Sequence, residues 1–313
     1  MNTLRIHTDG LLKGERLELE VVGVGMINYY RTGPEGRDTT ADVGSVPEAP
    51  PLLLIHSINA TASAHEVEPL FEHFRHARKT YALDLPGFGF SEKNDRLYDQ
   101  ALMVSAIEAM IERVLKETGA RSIDAIAVSL SCEFLAKLAA RRPELRSLGF
   151  ISPTGFSGNS PSKGRPDTHN GKPLLLKALK TASLGRKLFG LLTSRISIRY
   201  FLKKTWGSDD IDEMMFRRAL WLGKQPNAHL APLHFIAGFL FSANILPVYQ
   251  SLSQPIWLVH GCKGDFSDYS KLALLEHSEN WSIHALDTGA LPYFEQPETV
   301  VHSFEVFSER LDV

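Results

Sequence analysis

The stretch Ile123–Glu144, IDAIAVSLSCEFLAKLAARRPE, decides the fold because it runs from a buried strand directly into a helix. Its first six residues, Ile123–Val128, form an apolar run of strand length, and Ser131–Arg142 follows with helical spacing. Ser129 lies at the junction, with Ala127 two positions before it and Ser131 two positions after it. A tight strand-to-helix turn brings the two backbones so close that only small side chains fit at these flanking positions. The pattern therefore predicts a serine at the tip of a sharp turn.

Strand-like and helix-like segments alternate on both sides of this turn. Strands are predicted at Arg16–Gly23, Met26–Arg31, Leu52–Ile55, Thr80–Asp84, Ile123–Val128, Leu148–Ile151, Ile256–Val259 and Trp281–Leu286. Helices are predicted at Ala101–Thr118, Ser131–Arg142, near Asp268–His277 and from Pro297 onward. The first two strands are expected to form an antiparallel hairpin, and residues 32–50 to form a surface loop. The later alternation predicts βαβ units on a mostly parallel sheet of about eight strands.

The alternation stops between residues 154 and 250, where helical patterns follow one another without a strand. A run of helices inside an α/β pattern predicts an insertion. We therefore expect an α/β core formed by residues 1–153 and 251–313, and a helical cap formed by residues 154–250.

Four passages along the chain resemble the α/β-hydrolase fold superfamily. Leu52–Ala60, LLLIHSINA, is similar to the end of its third strand and its oxyanion loop. Leu83–Lys93, LDLPGFGFSEK, matches its Asp-x-Pro-Gly-x-Gly-x-Ser turn, and Ala127–Ser131 resembles its nucleophile elbow. Pro255–Asp265, PIWLVHGCKGD, resembles the strand that presents the acid. The resemblance covers almost the whole chain and implies the α/β-hydrolase fold, with helices flanking the sheet.

The resemblance also implies roles for single residues. These roles are the nucleophile for Ser129, the two oxyanion-hole amides for Ile58 and Leu130, and the acid for Asp265, with Asp268 as the alternative acid. In the oxyanion loop, His56 stands at the superfamily's histidine and Ser57 at its glycine, so both are predicted at the substrate site.

The superfamily's catalytic histidine is missing from its expected position. The segment Asp287–Pro297, DTGALPYFEQP, resembles the ending Gly-x-Gly-His-x-Pro-x-x-Glu-x-Pro, and Ala290 stands where the histidine belongs. Four explanations remain open: another residue supplies the base, the reaction needs none there, catalysis has been lost, or the histidine was deliberately replaced. Loss of one triad member typically removes on the order of 10⁴ to 10⁶ of the turnover and leaves about 10³ to 10⁴ over water.

Three other histidines could approach the pocket as a replacement base. His65 follows the third strand, and His229 and His234 belong to the predicted cap. His260 and His284 lie at the end of or within predicted strands and are expected to pack in the core. His56 is expected to brace the oxyanion loop rather than to accept a proton. Cys132, one helical turn beyond Ser129, is expected to be a small core residue.

The composition excludes several functional classes. A net charge of −2 gives no indication of nucleic-acid binding. Two cysteines are too few for a disulfide framework and lack zinc-ligand spacing, and no nucleotide-binding loop is present, so we expect no metal and no cofactor. The first residues do not resemble a signal peptide and no long apolar run is present, which predicts a cytoplasmic protein without a transmembrane segment.

The predicted cap has a strong local charge. Residues 163–204 contain eleven basic residues and one acid, a net charge of +10, interspersed with leucines at helical spacing, among them Leu175 and Leu179, with Ala178 and Ala182. This pattern favours contact with apolar, anionic material such as a fatty acyl group, an acyl-CoA or an anionic lipid surface. The alternative is a solvated face over an apolar lid. Phe235 and Phe239 are predicted to line an acyl pocket, and simple packing against the main domain is the alternative.

These observations favour a serine hydrolase that cleaves an ester or thioester of an apolar acyl substrate through Ser129, with a missing or relocated histidine base. The alternatives are a non-catalytic binding protein that keeps the pocket, and another reaction, such as a lyase reaction, in the same pocket. Haloalkane chemistry is disfavoured because its nucleophile would be an aspartate at position 129.

Overall fold

The computed structural model describes residues 11–33, 49–160, 163–181, 183–275 and 277–311. Most of the predicted loop at residues 32–50 lies outside these residues, and so does Ala182.

Eight strands form one sheet, which confirms the predicted fold class. They are β1 (Glu15–Val21), β2 (Gly25–Thr32), β3 (Leu52–Ile55), β4 (Thr80–Asp84), β5 (Ile123–Val128), β6 (Leu145–Ile151), β7 (Ile256–Gly261) and β8 (Trp281–Leu286). Their spatial order is β1-β2-β4-β3-β5-β6-β7-β8. β2 pairs antiparallel with β1 and β4, and the other neighbours are parallel. The chain order reverses between β3 and β5, and ligands of parallel sheets bind where such a reversal leaves a crevice beyond the carboxyl ends of the strands.

The helices flank the sheet and also fill the segment between β6 and β7. They are α1 (Glu68–Phe74), α2 (Gln100–Thr118), α3 (Ser131–Ala139), α4 (Pro173–Lys180), α5 (Leu184–Leu192), α6 (Arg195–Trp206), α7 (Glu213–Leu222), α8 (Leu230–Ile236), α9 (Leu246–Gln250), α10 (Pro292–Glu295) and α11 (Pro297–Glu309), with 3₁₀ helices at Ala64–Val67 and Ser270–Leu275. We call α4 to α9 the insert helices.

The sheet is buried on both faces because apolar residues alternate in direction along the central strands. In β3, Leu53 and Ile55 pack into one core with α2 and α3, whereas Leu52 and Leu54 pack into a second core with α1 and α11. Parallel strands covered on both sides favour apolar residues on both faces, which explains the continuous run LLLI.

The bounds of β1, β2, β7 and α2 differ from the prediction by one or two residues, and three other elements differ more. β6 begins at Leu145 rather than Leu148, because the polar residues Arg146 and Ser147 hydrogen-bond to the buried Asp124 and so fit inside the strand. Helix α3 ends at Ala139 rather than Arg142, since the residue before a proline avoids helical geometry and Pro143 follows. The helix predicted near Asp268–His277 is the short 3₁₀ helix Ser270–Leu275.

Candidate active site

Ser129 lies at the tip of the turn that joins β5 to α3. Its backbone has φ of 56°, a left-handed value that is unusual for any residue other than glycine. Its N–H donates to Ile151 O of β6 at 2.8 Å, which fixes the turn against the neighbouring strand. Its side chain is half-buried and lines a cavity. Strained, fixed backbone of this kind concentrates at functional sites.

Two backbone amides of the cavity wall have no hydrogen-bond acceptor among the described residues. The N–H groups of Ile58, after β3, and of Leu130, after Ser129, are unpaired among the described residues, and both residues line the same cavity as Ser129. Unpaired amides next to a nucleophile are what an oxyanion hole requires, because an oxygen that gains negative charge needs donors that are already in place.

A hydrogen bond joins the serine turn to the loop that carries Ile58. Ser131 Oγ donates to His56 O at 2.6 Å, and both residues are buried. His56 Nε2 accepts from Leu85 N at 3.0 Å, so the imidazole braces the loop from behind. Burial lowers the pKa of His56 to about 4, which keeps the ring neutral at pH 7.

A buried carboxylate holds the loop from its other side. Glu66 accepts hydrogen bonds from Ser57 N at 3.0 Å, from Ser57 Oγ at 2.7 Å and from Asn59 Nδ2 at 2.5 Å. Burial raises the pKa of Glu66, and the hydrogen bonds from Ser57 and Asn59 oppose that rise. Ser57, which replaces the glycine of the superfamily, therefore ties the loop to Glu66.

The turn after β4 is organised by a second buried carboxylate. Asp84 accepts from Ala64 N at 2.7 Å and from Phe90 N at 2.9 Å. A Cβ atom at Gly89, where φ is 51°, would lie 2.1 Å from the Asp84 carboxyl group, so only glycine fits there. The Asp84–Ser91 segment thus holds the start of the 3₁₀ helix at Ala64, next to the oxyanion loop.

A cavity of about 870 Å³ opens above these groups, between the sheet and the insert helices. Ser57, Ile58, Ser129, Leu130 and Phe235 line it, together with Ala290, Asp265 and Asp268. Two residues predicted at the substrate site do not line it: His56 lies behind the oxyanion loop, and Phe239 packs with Leu233 in a small core among the insert helices. The walls contributed by the insert helices include Leu192, Ile198, Phe201, Leu202 and Met215.

At Ala290 the backbone is held by the end of α6. Ala290 N donates to Thr205 O at 2.7 Å, and a Cβ atom at the neighbouring Gly289 would lie 2.3 Å from the same oxygen. Trp206 packs on Phe294 with ring centroids 5.5 Å apart. The insert therefore docks on the segment that would carry the catalytic histidine.

The end of α6 also contacts Asp265. Lys204 Nζ forms an ion pair with Asp265 Oδ2, and the two side chains are 35% and 53% exposed. The alternative acid, Asp268, accepts hydrogen bonds from Ser157 Oγ at 2.7 Å and from Gly158 N at 2.8 Å. The hydrogen bonds from Ser157 and the backbone lower the pKa of Asp268 to about 2. Both carboxylates line the cavity, and each already has partners.

Of the histidines in the described part of the chain, His65 is the one that lines the cavity. His234 is buried, with Nδ1 2.8 Å from Leu230 O, and its ring lies against Tyr98. His229 contacts Phe189 on a neighbouring insert helix. Only His65 among the three proposed replacement bases therefore shares a cavity with Ser129.

Two buried carboxyl groups of the cavity wall, Glu66 and Glu133, were not among the predicted site residues. The carboxylate of Glu133 accepts from Thr154 Oγ1 at 2.5 Å and from Ser242 N at 2.9 Å, so it joins α3 to the insert segment. Burial raises its pKa, and the hydrogen bonds from Ser242 and Thr154 oppose the rise. The available signal for Glu133 was its position in the first turn of the helix that follows Ser129.

The sheet topology resembles that of a hydrolase fold, and so do the positions of the serine turn and the two unpaired amides. A model of the alpha/beta hydrolase fold matches residues 50–230, which is more than half of the chain. The chain therefore belongs to the α/β-hydrolase fold family. No curated protein sequence matches it.

Solved structures with the same fold include several hydrolases. A membrane phospholipase A, described as a bacterial virulence factor, is 18% identical, with 97% of this chain and 88% of that chain covered and a TM-score of 0.67. A serine hydrolase of carbazole degradation is 15% identical, covering 94% and 98%, with a TM-score of 0.68. The meta-cleavage product hydrolase from Pseudomonas fluorescens IP01 is 16% identical, covering 94% and 97%, with a TM-score of 0.67. At these identities the likeness concerns the fold. Among the described helices, none has the length and apolar composition that a membrane span requires.

Proposed function

We propose that the chain is a serine hydrolase that cleaves an ester or thioester of an apolar acyl substrate through Ser129. The observation that carries the proposal is the strained serine turn sharing one cavity with the unpaired N–H groups of Ile58 and Leu130. In this proposal Ser129 Oγ attacks the acyl carbonyl, and the two amides bind the oxyanion of the tetrahedral intermediate.

This mechanism also needs an acceptor for the hydroxyl proton of Ser129. Ala290 has no group that can accept it, and Asp265 forms an ion pair with Lys204 rather than orienting an imidazole. Turnover is therefore expected to be slow and to rise with pH, because hydroxide or the leaving group must take over the role of the base. Substrates with good leaving groups are expected to react fastest.

Apolar side chains of the insert helices support an apolar substrate. Leu192, Ile198, Phe201 and Met215 line the same cavity as Ser129. A cavity of about 870 Å³ falls in the range of small-molecule sites.

We further propose that residues 154–250 act as a cap whose outer surface contacts anionic lipid. Leu174, Leu191 and Ile196 are 83%, 69% and 86% exposed, an unusual exposure for large apolar side chains on three successive helices. Basic residues alternate with them, as Lys177 and Lys187 do, so the surface combines apolar contact with positive charge. A cytoplasmic location remains part of the proposal.

A second function, a non-catalytic binding protein with the same cavity, is favoured by Ala290 and by the ion pair of Asp265. The two functions differ in one experiment: hydrolysis of p-nitrophenyl acetate, butyrate and octanoate by the unmodified chain and by Ser129→Ala. Ser251→Ala, an exposed serine outside the cavity wall, is the matched control.

If the chain is a hydrolase, we expect turnover that Ser129→Ala abolishes and Ser251→Ala preserves. Esters with longer acyl chains should be preferred. A chain that is inert toward all three esters, but whose Tm rises with octanoate, would instead support the binding protein.

A further inference from the structure

The exposed residues of the cavity wall show where the cavity reaches the protein surface. Of the lining residues that the structure describes, five are exposed, namely Lys172, Phe201, Asp265, Phe266 and Asp268. Phe201 lies on α6 and is 47% exposed, and Phe266 lies in the loop after β7 and is 54% exposed. The cavity mouth therefore lies between the insert and the loop after β7, with a phenylalanine on each of these two segments.

The end of α6 is in contact with the loop after β7 beside this mouth. Lys204 of α6 forms an ion pair with Asp265 of the loop. A Cβ atom at Gly207, directly after α6, would lie 2.8 Å from the backbone nitrogen of Gly264. Because the two backbones meet here, we place the phenylalanines of the two segments on one rim of the mouth.

Large apolar side chains continue from this rim along the outer face of α6. Ile196 and Tyr200 are 86% and 54% exposed, and residues four positions apart share one face of a helix. Leu191, on the other side of the short turn between α5 and α6, is 69% exposed. We call Leu191, Ile196, Tyr200, Phe201 and Phe266 the rim surface. Neighbouring exposed apolar residues of this kind mark interaction sites.

The helices that carry most of the rim surface are strongly basic. Residues 173–206, from α4 to α6, contain eight basic residues and no acidic residue. Four of these cations form ion pairs with acids elsewhere in the chain: Lys180, Arg199, Lys203 and Lys204. The other four have no ion pair with a described residue: Lys177, Arg186, Lys187 and Arg195. Even when the four partner acids and Asp268 are counted, the cations remain in excess. An anionic surface supplies the counter-charges that the described part of the chain does not provide.

Apolar side chains continue from the rim surface into the cavity. Ile198 and Met215 line it, and so does Ser129. We propose that the rim surface lies on an anionic lipid bilayer, and that the acyl chain of the substrate passes from the bilayer into the cavity between Phe201 and Phe266. The substrate class is then an acyl lipid held in a membrane rather than an ester dissolved in water. This rests on the proposed function for the acyl nature of the substrate and for the lipid contact of the insert, but entry of the chain requires no hydrolysis.

Vesicle binding tests whether the mouth faces the bilayer. Phe266 lies outside the insert helices, so a lipid contact made by the insert alone does not depend on it. In the Ser129→Ala background, Phe266→Ser should weaken cosedimentation with phosphatidylglycerol vesicles about three- to tenfold, as expected when part of an aromatic side chain is withdrawn from lipid. Val22→Ser, at a fully exposed apolar residue between β1 and β2 on the far edge of the sheet, is the matched control and should bind unchanged. Unchanged binding of Phe266→Ser, or an equal loss in Val22→Ser, would overturn the proposal.

Entry of the acyl chain is tested by photo-crosslinking in the same Ser129→Ala background, so that failure of the proposed hydrolysis does not affect the result. The vesicles contain a phosphatidylglycerol with a diazirine at the end of one acyl chain, and the labelled residues are located by mass spectrometry. We expect label on Ile198 or Met215, which are 6% and 4% exposed and line the cavity. Label confined to the outer residues Leu191 and Ile196, or no label in a chain that binds the vesicles, would refute entry from the bilayer.

A second copy of this chain is the competing occupant of the rim surface. Sedimentation velocity of the chain without lipid should show a monomer. A dimer that Ile196→Ser dissociates would assign the rim surface to a contact between two copies and would contradict the lipid contact.

Discussion

Replacing Ala290 by histidine is expected to raise esterase activity about 10²- to 10⁴-fold, the range that a positioned general base contributes. Ala290 lines the cavity that contains Ser129, and its backbone N–H is fixed on Thr205 O at 2.7 Å. An imidazole at this position therefore starts from a held backbone on the wall of the same cavity.

The ion pair between Lys204 and Asp265 competes with the orientation of the new imidazole. An imidazole needs a carboxylate to fix its tautomer, and Asp265 is engaged by Lys204. Both side chains are partly exposed, and exposed ion pairs are weak in water, so this competition is small beside the gain of a base. Adding Lys204→Met to Ala290→His should raise the activity less than about tenfold further.

The assay is kcat/KM for p-nitrophenyl butyrate between pH 5 and 9. Activity of Ala290→His should rise as the new imidazole loses its proton, with a midpoint at about pH 6.5. Ala290→Asn, which is polar but not basic, is the control. Equal activity of the asparagine variant, or a gain of less than about tenfold for a folded histidine variant, would refute the view that a missing base limits the reaction.

Three further predictions follow from the fold and its surface. Asp124→Asn should lower the free energy of unfolding by about 3–5 kcal/mol in urea at pH 7, because the buried carboxylate pairs with Arg78 and Arg146, and a loss below about 1 kcal/mol would contradict this. Burial raises the pKa of Asp124, but Arg146 and Arg78 bring it below 3.8. The stability that the Asp124 carboxylate contributes is therefore complete above pH 3.8 and is lost as the pH falls through the folded-state pKa. The unmodified chain should lose more stability in that acid range than the variant does. In urea, the free energy of unfolding of Ser129→Gly should exceed that of Ser129→Ala by about 1 kcal/mol, because glycine adopts φ of 56° without steric cost. Equal stabilities would show that the turn is unstrained. The chain should cosediment with phosphatidylglycerol vesicles and not with phosphatidylcholine vesicles, and Ile196→Ser should weaken that binding, whereas indifference to lipid charge would exclude the electrostatic contact.

The sheet could be predicted closely because its signals are local. Four strands, β3, β4, β5 and β8, have the predicted bounds, since each is a short run whose apolar or β-branched residues stand between turn residues. The start of β6 could not be predicted in this way. Arg146 and Ser147 interrupt the apolar pattern, and only Asp124, 22 residues before Arg146, explains why they fit in a strand.

The serine turn was predictable for a different reason: it depends on residues two positions away from Ser129. The contacts that complete the site join residues far apart in the chain. Ser131 binds the backbone of His56 across 75 positions, and Lys204 pairs with Asp265 across 61. No local pattern encodes such pairs, so the brace of the oxyanion loop and the partner of Asp265 required the structure.

Which predicted residues line the cavity could not be decided from local sequence either. Ser57 and Phe235 line the cavity, but His56 and Phe239, chosen from the same passages, do not. Phe239 instead packs with Leu233, because the direction of a side chain within a short insert helix or its following turn depends on how that helix docks. The roles of Ser129, Ile58 and Leu130 remain predictions that the geometry supports.

Covalent labelling by a fluorophosphonate probe, followed by mass spectrometry of the intact and digested chain, tests directly whether Ser129 is a nucleophile. We expect one adduct, on the peptide that contains Ser129, that is absent from Ser129→Ala and forms faster in Ala290→His. No adduct on Ser129 in either the unmodified chain or Ala290→His, with both folded, would contradict the claim that this serine is a nucleophile.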